Sequence, residues 1–474
     1  MILKRTRRAI ALAVLALTCC QSLHAADPAS QPATRPGRTI DARQKAPPYK
    51  PQPTRLMADL PEFTPTVMPE RTPFGGVTRY PHEKATGFFR TQRIDDRWWL
   101  IDPQGCRMIG IGVASTNLGD QSPEAKAALT KKFGSPEGWA TQTRRLLLDA
   151  GFDGTGSWSL DDLLRKDADR PLVHTRNWQF MRNYGTHRGG MKEEAGHQGY
   201  TERCIFVFDP EFAASCDQFA SALAAYKDDP YLLGYFTDNE LPFPLDSLDR
   251  YLKLPDADPG RRAAEAFVTE NRLERDKLTT ADRQRWTAVV AEKYFSVVHD
   301  AIRKYDPNHL ILGPRFHATD HRNEALLRTA GKYIDIVGYN LYGVWTPTAE
   351  LLGRWTNWSG RPVMITEFYA KAEDSGLANS DGAGWLVKTQ ADRAAFYENF
   401  TLALIESRVA VGWHWFKYID NDPARARGPN PNDSNKGIVD RYFEPYPQLL
   451  ETMRRVNTSR YALADYFDRQ QGKR

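Results

Sequence analysis

The chain has 474 residues, of which 41% are apolar and 26% charged, a composition typical of one large globular domain or two medium ones. Its net charge of +5 comes from 64 basic and 59 acidic residues. Four of the basic residues lie in the first eight positions, so the rest of the chain is nearly neutral. It has no dense basic stripe, which argues against a nucleic-acid partner.

The N-terminus has the pattern of a secretory signal peptide covering residues 1–26. A basic start is followed by an apolar stretch from Ala9 to Leu17 and by small residues at Ala25 and Ala26. The apolar stretch is too short to span a membrane. We therefore expect export to the periplasm or the extracellular space, with a short anchor helix as the alternative.

The five cysteines raise two questions, lipidation and disulfide pairing. Cys19 or Cys20 could carry a lipid anchor in the leader. In an exported protein Cys204 could pair with Cys216, while Cys106 stays buried and free. The cysteine and histidine spacings match no zinc site, so we expect no metal and no other cofactor.

Residues 27–73 are rich in Pro, Thr, Gln and Arg and poor in apolar residues, which predicts a linker or a surface arm. Ordered structure is expected from about Phe74, and the catalytic domain over residues 74–470. The segment RTQRIDDRWWLIDPQG then predicts a short hairpin, with turns at Asp95-Asp96 and at Pro103-Gln104-Gly105.

From there, short apolar runs alternate with helical patterns. Eight strands are predicted, at residues 108–114, 152–158, 172–178, 232–239, 310–316, 334–342, 363–368 and 411–418. Helices are predicted between them, for example at 139–150, 279–304 and 390–407, with a last one at 446–456. Runs that are apolar throughout suit parallel strands covered on both faces. The fold class is therefore α/β, a (β/α)8 TIM barrel with enlarged loops, and a doubly wound open sheet is the alternative.

Two of these strands end in a glutamate. The runs YLLGYFTDNE and PVMITEF end near Glu240 and Glu367, on the fourth and seventh strands. A carboxylate beside a buried strand is costly unless it is paired, hydrogen-bonded or catalytic. Because a barrel brings strand ends to one face, the two glutamates could serve as the carboxylate pair of a glycosidase, or each could form a structural ion pair.

Other polar and aromatic residues also lie at predicted strand ends. We expect substrate contacts from Asn239, Trp158, Arg315, His317, Tyr339, Tyr342, His414, Trp415 and, in the loop after the eighth strand, Lys436. Arg315 could instead pair with a rim carboxylate. A metal pair at His317 and His414, and a calcium loop within residues 420–440, are weaker alternatives.

The arrangement resembles glycoside hydrolase clan A, the retaining (β/α)8 enzymes. The matching residues are Asn239-Glu240 on the fourth strand and Thr366-Glu367-Phe368 on the seventh. The segments RWWLIDPQG, GYFTDNE, ITEFYAKAEDSG and GAGWLVKTQADR narrow this to the β-agarase-type enzymes, closest to glycoside hydrolase family 50. The resemblance covers roughly residues 85–450.

This resemblance implies roles for several residues. Glu240 would be the general acid/base and Glu367 the nucleophile, with the two carboxyl groups about 5–5.5 Å apart. Asn239 would hydrogen-bond the 2-hydroxyl of the sugar, and Tyr339 or Tyr342 would orient Glu367. Trp415 would form the floor of the subsite at the cleavage point.

The resemblance implies a secreted retaining β-glycosidase for a galactose-containing polysaccharide or oligosaccharide. Two alternatives stay open: a catalytically inactive carbohydrate-binding barrel, and a retaining β-glycosidase for a non-galactan plant or bacterial glycan.

Overall fold

The structure is a computed structural model that describes residues 37–44, 47–119, 122–194, 197–380, 382–423 and 434–471. The predicted signal peptide, with Cys19 and Cys20, lies outside these residues. So does the middle of the loop considered for calcium, residues 424–433.

The described part of the chain alternates strands and helices. The strands are β1 (Thr39–Arg43), β2 (Lys50–Pro53), β3 (Arg90–Ile94), β4 (Arg97–Ile101), β5 (Arg107–Met108), β6 (Gly110–Ala114), β7 (Gly154–Thr155), β8 (His174–Asn177), β9 (Met191–Glu194), β10 (His197–Tyr200), β11 (Leu232–Phe236), β12 (Leu310–Ile311), β13 (Val337–Asn340), β14 (Val363–Glu367), β15 (Ala370–Ala372), β16 (Trp385–Val387) and β17 (Ala410–Phe416). The α-helices are α1 (Pro123–Phe133), α2 (Pro136–Asp149), α3 (Asp161–Arg165), α4 (Phe180–Arg188), α5 (Phe212–Ala220), α6 (Ser247–Tyr251), α7 (Pro259–Glu270), α8 (Thr280–Tyr305), α9 (Glu324–Ala330), α10 (Ala349–Ser359), α11 (Gln390–Glu406) and α12 (Pro447–Gln471).

Eight parallel strands carry the fold, and each lies within a strand predicted from the sequence or overlaps it. In chain order these core strands, first to eighth, are β6, β7, β8, β11, β12, β13, β14 and β17. Five form one sheet in the order β13-β14-β17-β6-β7, and three form another in the order β12-β11-β8. The sheet edges meet at two isolated parallel bridges, Gly154 to Val173 and Phe316 to Tyr339. The parallel α/β architecture is confirmed, and closure into a complete barrel stays a prediction.

Apart from Arg176 and Asn177 of β8 and Phe416 of β17, every residue of the core strands is buried, as uninterrupted apolar runs predict for most of these strands. Every residue of β11 and of β14 is buried, including Glu367 at the end of β14. One cluster of buried side chains collects residues from several core strands, among them Leu233, Ile336, Met364 and Val411. Phe89, Leu100 and Met108 of the β3-β4-β5 region belong to the same cluster. The hairpin predicted at residues 90–105 therefore packs onto the core.

The long helices begin where the sequence supplies a cap. Thr279 accepts a hydrogen bond from the backbone N–H of Asp282, and the Asp282 carboxylate accepts one from the backbone N–H of Thr279. Thr389 and Asp392 repeat this capping box at the start of α11. Such a box satisfies N–H groups that a helix start leaves unpaired. The predicted helices are confirmed, and α12 extends well beyond residue 456.

The N-terminal arm forms ordered structure earlier than predicted. β1 and β2 form a hairpin, and β1 pairs with β16 in the segment after the seventh core strand. Ile40 and Ala42 are buried there. The expected start near Phe74 is therefore wrong, because pairing with a distant strand orders a segment whose own composition is that of a linker.

The three cysteines beyond the predicted leader are free and buried, so the disulfide considered between Cys204 and Cys216 is not formed. Burial raises the pKa of both thiols. Among the residues that the structure describes, no helix has the length and apolarity needed to cross a membrane.

Candidate active site

The carboxyl ends of the core strands carry unusual backbone conformations. Ser115, Trp158, Glu240 and Arg315, which follow the first, second, fourth and fifth core strands, have φ values of 50°, 68°, 55° and 54°. Residues other than glycine rarely adopt this region, and such strain concentrates at functional sites. Two of these residues, Trp158 and Glu240, line a cleft at the strand ends.

A cleft of about 420 Å³ opens at these strand ends. Glu240 and Glu367 both line it, so the structure brings the two predicted catalytic residues together. Five of the predicted substrate-binding residues line it as well, namely Trp158, His317, Tyr339, Tyr342 and Lys436.

Glu367 is held by two donors. Arg315 Nη2 hydrogen-bonds Glu367 Oε1, and Tyr342 Oη donates to Oε2 at 2.6 Å. Burial raises the pKa of Glu367; the positive charge of Arg315 opposes this, and the charge of Glu240 adds to it. The two hydrogen bonds stabilise the carboxylate form and leave it pointing in one direction, as a nucleophile requires.

Glu240 is oriented through its neighbour on the sixth core strand. Asn340 Nδ2 donates to Glu240 Oε1 at 2.8 Å, and Thr366 Oγ1 donates to Asn340 Oδ1 at 2.7 Å. The Thr366 hydroxyl fixes the orientation of the Asn340 amide, so the amide hydrogen faces Glu240. One oxygen of Glu240 is thus occupied, and the other, Oε2, is left for chemistry.

Arg315 is a buried ion-pair partner of Glu367 and does not line the cleft. Its side chain is fully buried, and its Nε donates to Asn239 Oδ1 at 2.7 Å while Nη2 binds Glu367. Nη1 donates to Ser157 Oγ. Arg315 therefore links the ends of the second, fourth and seventh core strands. Of the two readings of Arg315 that the sequence left open, the structure selects the ion pair.

Asn239 lines a second cavity beside the cleft, of about 160 Å³. Trp158 and His197 line both spaces. Asn239 is therefore adjacent to the carboxylate pair, although it is held by Arg315 and does not line the main cleft.

Two residues predicted on the eighth core strand lie away from the cleft. Trp415 is fully buried, donates its Nε1 hydrogen to Lys436 O at 3.0 Å, and packs edge-on against Phe368. His414 is buried beside Phe236, and burial, with the nearby charge of Arg315, lowers its pKa to about 3. Phe416 lines the cleft instead. Alternation of side chains along β17 puts Trp415 on the face opposite Phe416. His414 shares the face of Phe416 but is buried, so neither predicted residue lines the cleft.

Tyr339 and His317 have structural partners of their own. Tyr339 Oη donates to Ala318 O at 3.0 Å and its ring stacks on Trp355, so of the two candidate tyrosines it is Tyr342 that orients Glu367. Burial lowers the pKa of His317, but its contact with Asp320 outweighs this and the net pKa is raised. Within the described residues, no group of three His, Cys, Asp or Glu side chains could hold a metal ion.

The sequence reasoning missed His197, Phe416 and Tyr369, which also line the cleft. His197 comes from the β9–β10 hairpin, far along the chain from any strand-end motif. Asn340 lies within the sixth predicted strand, residues 334–342, but nothing in the sequence marks it as the partner of Glu240.

Two carboxylates line one cleft at the carboxyl ends of parallel strands, one held by Arg and Tyr and the other by Asn, which is the arrangement found in the paired-carboxylate class of sugar hydrolases. Comparison with known proteins agrees with this class. No protein-family model matches the chain. The chain is 26% identical to β-agarase B of Vibrio sp. (strain JT0107) over 504 aligned residues, covering 84% of this chain and 50% of that protein. It is 25% identical to β-agarase A of the same strain, covering 70% of this chain and 37% of that protein.

Solved structures give the same result. BpGH50 is 28% identical, with a TM-score of 0.81, and the match covers 91% of this chain and 96% of that one. An exo-β-agarase shares the fold, with a TM-score of 0.70 at 23% identity over 84% of this chain. The chain spans about half the length, or less, of the two curated β-agarases. The resemblance to β-agarase-type glycoside hydrolases of family 50, inferred from the sequence, is confirmed.

Proposed function

We propose that this protein is a retaining β-glycoside hydrolase that acts on agarose-type galactans or their oligosaccharides. The observation that carries the proposal is the pairing of Glu240 and Glu367 in one cleft, each with a separate set of hydrogen-bond donors. Different surroundings for two carboxyl groups are what an acid/base and a nucleophile need.

The proposed reaction has two steps. Glu367 attacks the anomeric carbon while Glu240 gives its proton to the leaving oxygen, forming a glycosyl ester on Glu367 and releasing the first product. Glu240, now a carboxylate, takes a proton from water as that water attacks the anomeric carbon. The ester bond breaks, Glu367 leaves as a carboxylate, and the product keeps the β-configuration.

The remaining cleft residues suit sugar binding. Trp158, Tyr369 and Phe416 offer aromatic faces, and the histidines and Lys436 offer polar contacts. This mixture of apolar walls and a few polar groups is typical of ligand sites. The choice of an agarose-type substrate is supported by the β-agarases among the relatives.

Two proposals about the whole chain accompany this function. The eight core strands are proposed to close into a (β/α)8 barrel, supported by the bridges at both sheet junctions.

The protein is also proposed to be exported, supported by the sequence of residues 1–26. When the full chain is expressed with its leader in a bacterium that has a periplasm, N-terminal sequencing of the exported protein should begin near Asp27. A full-length protein retained in the cytoplasm would refute export.

Hydrolysis of agarose oligosaccharides, followed by proton NMR from the first minutes, tests the function. The β-anomer of the new reducing end should appear before mutarotation produces the α-anomer, because two inversions restore the starting configuration. An α-anomer formed first would refute the retaining mechanism. Cleavage of other β-glycans but not of agarose oligosaccharides would refute the proposed substrate but not the proposed retaining mechanism.

A further inference from the structure

His197 lines the cleft but has no role in the two steps of the proposed reaction. It lies on β10, in the hairpin that follows the third core strand, and forms part of the wall of both the cleft and the second cavity. Its ring centroid is 5.6 Å from that of His317, another cleft residue, and its side chain is 26% exposed.

The two nitrogens of His197 face two carboxylates. Nδ1 lies 3.5 Å from Glu240 Oε2, and Nε2 lies 3.2 Å from Glu194 Oε2. Glu194 is also paired with Lys192 at 2.8 Å. The hydrogen bond from Lys192 lowers the pKa of Glu194, which keeps that side chain an acceptor.

This arrangement sets the tautomer of a neutral His197. An ionised Glu194 accepts a hydrogen bond from Nε2–H, which leaves the lone pair of Nδ1 directed at Glu240. His197 Nδ1 is buried and has no hydrogen-bond partner at closer range. A proton on Glu240 Oε2 would supply that partner.

The other oxygen of Glu240 cannot compete for this proton. Glu240 Oε1 already accepts the Asn340 amide hydrogen at 2.8 Å, and a proton there would face another donor. One donor and one acceptor thus flank the two oxygens of the same carboxyl group. The catalytic proton is directed to Oε2.

We propose that His197 is a positioning residue that holds the acid proton on Glu240 Oε2, with Glu194 fixing the imidazole tautomer. The inference rests on the proposed function and deepens it. In the first step the proton moves from Oε2 to the leaving oxygen and the O–H···Nδ1 contact is lost. In the second step Oε2 takes the proton of the attacking water and the contact forms again. His197 itself gains and loses no atom.

The test is the dependence on the leaving group. Purified His197→Gln protein and the unmodified protein are compared on phenyl and 2,4-dinitrophenyl β-D-galactopyranosides, or on the same aryl glycosides of a galactose-terminated agarose disaccharide. Phenolate needs protonation to leave and dinitrophenolate does not. We expect kcat/KM to fall at least about tenfold for the phenyl glycoside and to change little for the dinitrophenyl one, as for a weakened general acid. Glu194→Gln should give a smaller loss in the same direction.

His321→Gln is the matched control, because His321 lines the same cleft but its Nδ1 contacts Ala318 O. It should not produce the leaving-group dependence. Equal losses on both substrates for His197→Gln, or an unchanged phenyl rate in both His197→Gln and Glu194→Gln, would overturn the inference. Failure of the proposed function would show differently, as an α-anomer formed first or as activity that persists without Glu367.

Discussion

Glu367→Ala is expected to lower kcat by at least about 10⁴-fold, since removal of a nucleophile leaves only binding and electrostatic stabilisation. The substitution leaves the buried Arg315 guanidinium without its carboxylate partner, so some stability is lost, and the rate is interpreted only for protein that is shown to be folded. Activity would be measured on an aryl β-glycoside, and folding by thermal unfolding monitored by circular dichroism.

Adding azide distinguishes the role of Glu367 from that of Glu240. In Glu367→Ala a small anion can occupy the vacated space and attack the anomeric carbon, while Glu240 still protonates the leaving oxygen. The product should be an α-glycosyl azide, with inverted configuration. In Glu240→Ala, azide should instead attack the glycosyl ester on Glu367 and give a β-glycosyl azide from a dinitrophenyl substrate. The two products assign the two roles independently.

Glu270→Gln, at an exposed position at the end of α7, is the control and should behave as the unmodified protein. Unchanged turnover in Glu367→Ala would refute the assignment of the nucleophile. Azide products of the same configuration in both variants would refute the separation of roles.

Arg315→Met is expected to have the second large effect, on stability and on pH dependence together. The substitution leaves Glu367 buried without its cation, and breaking a buried pair in this way costs about 3–5 kcal/mol of unfolding free energy. It also removes the hydrogen bond that fixes Asn239. Chemical denaturation at neutral pH would measure the loss.

The direction of the pH effect follows from the charges. Burial already raises the pKa of Glu367 and Arg315 opposes it, so loss of Arg315 raises the pKa further. A nucleophile must be ionised, so kcat/KM falls as the pH decreases through this pKa. The acidic limb of the profile should therefore move to higher pH in Arg315→Met. Tyr342→Phe, which removes one hydrogen bond to Glu367, should move it in the same direction by less.

A double mutant distinguishes the stability lost through the unpaired charge of Glu367 from the stability lost through the missing packing of Arg315. Adding Glu367→Gln to Arg315→Met removes the unpaired buried carboxylate, so much of the lost stability should return although the enzyme stays inactive. If Arg315→Met alone leaves both stability and the acidic limb unchanged, the ion pair does not hold the carboxylate as described.

The positions of the core strands could be read from the sequence because burial on both faces produces uninterrupted apolar runs. The same property made the glutamates visible, since Glu240 and Glu367 interrupt the apolar pattern where the strands end. Burial on both faces also means that the sequence does not show which face of the sheet a side chain lies on. In the run AVGWHWF of β17, both faces are apolar, so nothing showed that Phe416, and not Trp415, reaches the cleft.

Long-range pairing accounts for the other differences. The arm at residues 39–53 has the composition of a linker, and it becomes a hairpin edge because β16 offers a partner strand more than 300 positions away. His197 reaches Glu240 because the β9–β10 hairpin folds back over the strand ends. Neither contact produces a recognisable pattern in the sequence around the residues that form it.

The sequence by itself determined the α/β strand order and the two carboxylates at the ends of the fourth and seventh core strands, because burial and hydrophobic pattern act locally along the chain. Only the tertiary structure decided which groups surround those carboxylates. Arg315 and Tyr342 hold Glu367, while Asn340 and His197 flank Glu240. These partners come from different strands and loops, and a hydrogen bond depends on distance in space, which the order of residues does not record.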